Sequence, residues 1–516
     1  GVELNEGFRR AMDLMENSKD ILFITGKAGS GKSTLLEYFR EYTKKNVVVL
    51  APTGVAALNV NGQTIHSFFK FSPHITVQDV GKKKLTKKNI ELLKKTDIFI
   101  IDEVSMVRAD ILDCVDIALR FGLKSKKPFG GKRMIFIGDL YQLPPVVSSV
   151  DEKEMFRTVY ESPYFFNAHV LKSMHMEIIE LEKIYRQKDA DFIELLNKIR
   201  TCSVQDEDIV KLNERFLPII DQSVLGENFY ITLTTTNAVA DNLNSEKLAE
   251  LRAPCKVYRG KLTGEFEEKH YPTMENLALK VGSQVMLLNN DSAGGWVNGS
   301  IGKILNIEHD DVRDEDLLIV RLQEGRTVRV APYTWDIRRY IFDNKSKKLE
   351  TESVGSFTQY PVRLAWAVTI HKSQGKTFDR VVVDIGNGSF THGHVYVAIS
   401  RCTSFEGLIL KKPIQKKHIW LDRHIVKFLT RYRYDISEAE MPLERKMEKI
   451  KDAIERGAIL KIVYLKADDT KSTREIRPSF VGALTYSGKP FIGMQAYCLK
   501  SNADRCFRVD RILEME

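Results

Sequence analysis

Ile21-Leu22-Phe23-Ile24-Thr25-Gly26-Lys27-Ala28-Gly29-Ser30-Gly31-Lys32-Ser33-Thr34 passes from an apolar run through a glycine-rich turn into a segment with helical spacing. A short apolar run ending in glycine predicts a buried strand, and the spacing from Leu35 to Tyr42 predicts a helix behind it. The glycines between them let backbone N–H groups curl round an anion, and the helix start adds the positive end of its dipole. Lys32 is placed to reach β- and γ-phosphates, and Ser33 to offer a hydroxyl to Mg²⁺. The candidate nucleotide-binding residues here are Gly26, Ala28, Gly29, Ser30, Gly31, Lys32, Ser33 and Thr34.

Working outward, Val47-Val48-Val49-Leu50, Ile98-Phe99-Ile100-Ile101 and Met134-Ile135-Phe136-Ile137 repeat the pattern of a short apolar run followed by a polar loop. Such runs alternating with helices predict a buried parallel sheet, whose ligands bind beyond the carboxyl ends of the strands. Asp102-Glu103 follows the second of these runs. An aspartate there suits the Mg²⁺ shell beside Ser33, and Glu103 suits the orientation or deprotonation of an attacking water. Gly138-Asp139-Leu140-Tyr141-Gln142-Leu143-Pro144-Pro145 follows the third. Gln142 is neutral, donates and accepts, and is suited to sensing a γ-phosphate.

A second α/β series is expected after residue 165, with strands at Phe229-Tyr230-Ile231-Thr232-Leu233 and Val381-Val382-Val383-Asp384-Ile385. It carries Arg186 and Arg401. Cations set against a transferring phosphoryl group stabilise its transition state, so both are candidate catalytic residues alongside Lys32, Asp102, Glu103 and Gln142. If both reach the loop, the nucleotide lies between two cores and its hydrolysis moves them.

The 516 residues suit several domains; 43% hydrophobic and 28% charged residues fit a globular chain. No apolar run is long enough to cross a bilayer, so no membrane partner is expected and a cytoplasmic location is. The six cysteines form no Cys-x-x-Cys pair, which argues against a zinc site or disulfide framework. The charge of +9 permits a polyanion partner without requiring one. The expected organisation is a first core over 1–165 with a small insertion near 69–90, and a second core over 166–430. The second core holds an antiparallel β insertion at about 245–355. A helical linker over 431–449 and a small β-rich tail over 450–516 complete the chain.

The order of these motifs, with Tyr185-Arg186, Thr369-Ile370-His371-Lys372-Ser373-Gln374-Gly375 and Tyr396 to Arg401, resembles superfamily-one helicases. Within them it is closest to the petite-integration-frequency (PIF) family, related to RecD. Ala51-Pro52-Thr53-Gly54-Val55-Ala56-Ala57, Gly62-Gln63-Thr64-Ile65-His66-Ser67-Phe68 and Glu103-Val104-Ser105-Met106 strengthen the resemblance. It implies two RecA-like cores, with a wedge on the first insertion and a Src-homology-three-like barrel on the second. It also implies ATP and Mg²⁺ as cofactors, Gly375 at the nucleotide, and five-prime to three-prime movement on single-stranded and forked DNA. G-quadruplexes and DNA–RNA hybrids are among the substrates it implies, and a monomer is expected in solution. The strand would run over Pro52, Gly54, Val55, Asn59 and His66 on the first core. On the second it would meet Thr235, Asn237, His371 and Lys372. Phe68, Phe69 and Phe71 are expected to divide between core and base contact. Phe8 stands where the family has an adenine-reading glutamine. The tail resembles a WYL domain through Ile462-Val463-Tyr464-Leu465 and Phe507-Arg508-Val509-Asp510-Arg511-Ile512. There Arg474, Arg477, Arg505, Arg508 and Arg511 are expected to form an anion-binding face. The competing functional readings are a translocase without unwinding, an RNA helicase, and a nucleic-acid-binding regulator that uses ATP as a switch.

Overall fold

The computed structural model of the protein describes residues 5–27, 29–80, 86–147, 149–181, 189–220, 229–264, 268, 271–343, 348–386, 391–466, 471–486 and 489–516. It divides into two compact units, 1–200 with 204–419, and 201–203 with 420–516.

In the first unit the apolar runs become strands β1 (Ile21–Gly26), β2 (Val47–Ala51), β3 (Gln63–Thr64), β4 (Ile98–Ile101), β5 (Arg133–Ile137) and β6 (Met176–Leu181). They form one sheet in the order β3-β2-β4-β5-β1-β6. All its pairings are parallel, and β1 is buried along its whole length between β5 and β6. A parallel sheet with both faces covered needs side chains apolar on both sides, which is why these strands read as unbroken hydrophobic runs. The first core therefore extends past the expected boundary at 165. Its edge strand β6 escapes a search for apolar runs because Glu177 and Glu180 interrupt it.

The second core is a four-stranded parallel sheet in the order β18-β7-β19-β20, with β7 at Ile231–Thr234, β18 at Ala367–Thr369, β19 at Val381–Asp384 and β20 at Leu408–Leu410. Between β7 and β18 lies the antiparallel insertion, in which β8 (Lys256–Arg259) and β10 (Asn276–Leu279) form a pair of their own. β11 (Gln284–Leu287), β12 (Ile301–Asp310), β13 (Glu315–Leu322), β14 (Thr327–Val330) and β17 (Val362–Leu364) make a five-stranded sheet. It packs round its own core, which includes Val285, Ile304, Leu318, Val320 and Val362. The edge strand β17 lies beyond residue 355, so the insertion is longer than expected.

A second part of the insertion is a long hairpin arm, β15 (Tyr333–Asp343) with β16 (Lys348–Gln359), extended by β9 (Lys261–Gly264). The arm packs on the first core beside β3. The Val49 N–H donates to the Tyr340 hydroxyl at 3.0 Å, Leu349 N–H donates to the Asn46 side chain at 3.3 Å, and the Phe68 ring meets Tyr340 edge-on at 6.2 Å. Lys82 to Lys84, in the expected first-core insertion, lie outside the described residues; helix Lys87–Lys95 ends that segment.

In the second unit, helices Arg423–Glu440 and Leu443–Arg456 precede an antiparallel sheet of β21 (Leu460–Leu465), β22 (Lys471–Tyr486), β23 (Lys489–Cys498), β24 (Ala503–Arg508) and β25 (Ile512–Met515). The expected linker over 431–449 is not a free spacer. Ile450 and Ala453 of the second helix join Ile462, Ile476, Met494 and Phe507 in the tail's core. The buried Lys446 donates to Ser437 at 2.8 Å, and Ser437 donates to the Leu513 carbonyl at 2.7 Å, tying both helices to β25. Their charged outer faces made them read as a spacer.

Candidate nucleotide site between the two cores

β1 ends at Gly26, and helix Lys32–Tyr42 begins after a turn in which Gly29 and Gly31 have φ of +79° and +87°. A Cβ on Gly26 would lie 2.5 Å from Ser30 Oγ and 2.8 Å from the Leu181 carbonyl oxygen, so only glycine fits the throat of this loop. Ser30 Oγ is buried without a hydrogen-bond partner. Lys32 Nζ folds over the loop and donates to the carbonyls of Gly26 at 2.7 Å and Lys27 at 3.1 Å. Burial pulls the Lys32 ammonium below its usual range, opposed by the charges of Asp139 and then Glu103. An orphaned hydroxyl, a cradle open only to backbone and a desolvated ammonium together fit a phosphate ligand. Ala28 lies outside the described residues; Ser33 and Thr34 are exposed on the first turn.

Asp102 and Glu103 follow β4, with Glu103 held at φ +50°, a costly conformation for a residue with a side chain. Burial raises the pKa of both carboxyls; for Glu103 the neighbouring Asp102 charge adds to it. Two carboxyls crowded and desolvated within electrostatic reach of Lys32 suit a hard divalent cation, which would restore their charge. Among the described residues no group of three or more His, Cys, Asp or Glu forms a ready-made metal cluster. A cation here would therefore rely on few protein ligands, as Mg²⁺ does beside phosphates.

The second core enters this site. Gln374, just after β18, donates through Nε2 to Glu103 Oε2 at 3.0 Å. Sequence reasoning quoted Gln374 within a motif and gave it no role; its partner is 271 positions away. Its placement between Ser373 and Gly375 at a strand end was the available signal. Gly375 has φ +77° and open space where a side chain would stand. Gln142 is buried and donates to Asp139 Oδ2 at 3.1 Å. The turn at His392 and Gly393 abuts the same loop. His392 Nε2 lies 2.9 Å from the Leu140 carbonyl, and a Cβ on Gly393 would come within 2.6 Å of the Tyr141 and Gln142 carbonyl oxygens.

Arg401 is held within the second core. It is 1% exposed, and its guanidinium donates to the carbonyls of Val397 at 3.0 Å, Lys376 at 3.2 Å and Ser373 at 3.4 Å, and to Ser400 Oγ at 3.1 Å. It is engaged by its own core, within electrostatic reach of Glu103. Arg186 lies outside the described residues. Phe8 is packed in the first core, edge-on to Tyr38 at 5.9 Å.

The expected strand contacts gather in two places. Pro52, Gly54 and His66 line a cavity of about 690 Å³ whose opposite wall is the arm, with Arg338 and Arg339. Val55 is exposed, and Asn59 accepts from Asn298 Nδ2 of the β insertion at 3.3 Å. On the second core Thr235 follows β7 and Asn237 opens helix Asn237–Glu250, while His371 stands edge-on to His394 at 5.4 Å and Lys372 is exposed. Phe68 and Phe69 are buried, with Phe71 stacked on Phe69 at 5.3 Å, so the trio is mainly core.

The tail arginines do not share one face. β-strand alternation puts Arg474 on the core side, over the Phe507 ring at 5.8 Å, and Arg477 on the opposite side. Arg508 is paired with Asp510 at 2.7 Å, and Arg511 donates to the Lys466 carbonyl at 2.7 Å. Arg477 and Arg505 remain exposed.

A model of PIF1-like helicases matches residues 4–209. The ATP-dependent DNA helicase Pif1 of Bdellovibrio bacteriovorus is 32% identical over 418 residues, spanning 79% of this chain and 88% of that one. The chain belongs to the PIF1-like helicase family. It is accordingly an ATP-dependent DNA helicase and an ATP hydrolase. The crystal structure of Bacteroides sp Pif1 in complex with ADP-AlF4 superposes with a TM-score of 0.76 at 37% identity, covering 84% of this chain and 98% of that one. Bacteroides Pif1 bound to ssDNA gives a TM-score of 0.60 at 38% identity over the same shares. A second helicase model matches residues 343–433, and a WYL domain model matches 445–516, which includes most of the second tail helix. No helix of the described residues is long and apolar enough to cross a membrane.

Proposed function

We propose that this PIF1-like helicase moves five-prime to three-prime along single-stranded DNA and opens forked duplexes, with ATP hydrolysed between its two cores. Lys32 and the loop at 26–33 cradle the phosphates, Ser33 and Asp102 hold Mg²⁺, Glu103 orients the attacking water, and Gln142 reads the γ-phosphate. Bound there, Mg²⁺ would neutralise phosphate charge. Arg401, and Arg186 by its place in the family pattern, supply positive charge when the cores close. Pro52, Gly54, Val55, Asn59, His66, Thr235, Asn237, His371 and Lys372 hold the strand through sequence-independent contacts.

The observation that carries this reading is the Gln374–Glu103 hydrogen bond at 3.0 Å. It joins the carboxylate proposed for hydrolysis to the segment that also carries His371 and Lys372, so nucleotide state and strand grip share one element. The solved relatives bound to ssDNA and to forked dsDNA support the choice of DNA. Polarity, G-quadruplex opening and DNA–RNA hybrid opening rest on the family resemblance.

Forked duplexes with a single overhang of either polarity test it. We expect unwinding from the five-prime overhang at least tenfold faster than from the three-prime one. Equal rates, or ATP turnover without strand separation, would leave the non-unwinding translocase as the better reading. A chain ending at Ile419 is the suitable tail-free comparison, because both tail helices belong to the tail's unit.

A further inference from the structure

Arg200, at the end of helix Ala190–Arg200, is 5% exposed and carries no role from sequence. Its guanidinium forks between two carboxylates, donating to Asp139 at 3.3 Å and Glu180 at 3.1 Å. Its plane lies over the Tyr141 ring at 4.1 Å. Asp139 is 1% exposed and spends its oxygens on the loop at 138–145: Oδ1 accepts the Tyr141 N–H at 3.1 Å and Oδ2 accepts Gln142 Nε2 at 3.1 Å. From the other side the Gly393 backbone packs against this loop, close enough that a Cβ there would meet the Tyr141 and Gln142 carbonyl oxygens at 2.6 Å.

We propose that Arg200 is a positioning residue for ATP hydrolysis, holding Asp139 and through it the Gln142 amide in the orientation that meets the γ-phosphate. The inference rests on the reading of Gln142 given above. A glutamine amide has a donating and an accepting end, and fixing Nε2 on Asp139 leaves Oε1 as the end presented to the ligand or its water. Arg200 keeps the Asp139 carboxylate oriented for that bond. Without Arg200 it is a buried anion near Lys32, free to compete with phosphate for the ammonium. Stability alone is a weak reason for such a pair, because well-packed apolar residues replace buried ion pairs at little or no cost. Lysine is a poor substitute: it lacks the planar fork that serves Asp139 and Glu180 together and stacks on Tyr141.

The test uses the full chain with saturating single-stranded DNA, measuring kcat and KM for ATP, DNA affinity and thermal unfolding for R200Q, R200K, D139N and R200Q/D139N. Expected are a kcat at least tenfold lower in R200Q, KM and DNA affinity within threefold of the parent, and partial recovery in R200K. The double variant removes both charges of the Arg200–Asp139 pair together, so it does not leave the buried Asp139 charge unpaired as R200Q does. Its loss should be no greater than that of either single variant, because both act on one bond. Normal kcat in R200Q or in the double variant, or single losses that multiply in the double, would overturn the proposal. Gln142→Ala runs in parallel. If it turns over normally, the reading of Gln142 fails. If it is impaired while R200Q is normal, only the inference fails.

Discussion

Lys32→Ala should lower DNA-stimulated ATP turnover by at least about 10²–10³-fold, the range for removing one preorganised donor from developing charge. Lys32 is the ammonium that spans the phosphate loop, and its present partners are the loop's own carbonyls at Gly26 and Lys27. Those bonds are what an arriving phosphate would replace. Alanine leaves the anion facing backbone N–H groups alone, and unwinding fails with hydrolysis. Single-strand affinity without nucleotide should stay within about threefold, since the proposed strand contacts lie on other loops. A turnover assay beside fluorescence anisotropy with a labelled oligonucleotide reads both. Turnover within a few-fold of the parent would remove Lys32 from the mechanism.

Glu103→Gln separates chemistry from coupling. Glutamine keeps the shape and an accepting oxygen for Gln374, so the bond between the cores persists, but it no longer takes a proton from water. General-base loss costs roughly 10²–10⁴ in rate, and we expect kcat to fall by that amount with KM for ATP little changed. Single-turnover quench kinetics should show bound, uncleaved ATP. If KM rises in proportion while kcat holds, Glu103 is a binding residue and the water is activated elsewhere.

What the sequence made legible follows from how each signal is encoded. β1 and the phosphate loop are contiguous and buried, so one stretch carries both strand and turn. The Asp102-Glu103 pair is visible for the same reason. Gln374 and Arg200 escaped because their partners lie 271 and 61 positions away. A buried arginine also looks like any surface arginine when read alone. Arg401 is legible in the sequence as a candidate cation, but its packing among its own core's carbonyls is something no one-dimensional pattern holds. In the tail, Arg474 and Arg477 fall on opposite faces because strand alternation sends residues an odd number of positions apart to opposite sides. Phe8 was readable only as a departure; packing decides that it belongs to the core.

The contact between the hairpin arm and the first core bears on which pieces of this chain make usable fragments. β3 covers β2 only at Leu50 and Ala51, so Val47 to Val49 would form a raw margin of sheet. The Tyr340 hydroxyl takes the Val49 N–H, and the arm backbone takes Asn46. An uncovered margin of this kind recruits strands from other molecules. A gene fragment ending after β6 should therefore yield a protein that self-associates. Sedimentation at micromolar concentration should show oligomers of the fragment beside a monodisperse parent, and a monomeric fragment would refute this. The insertion is thus a borrowed seam, and on this expectation the first core is not a module that shuffling could pass on alone.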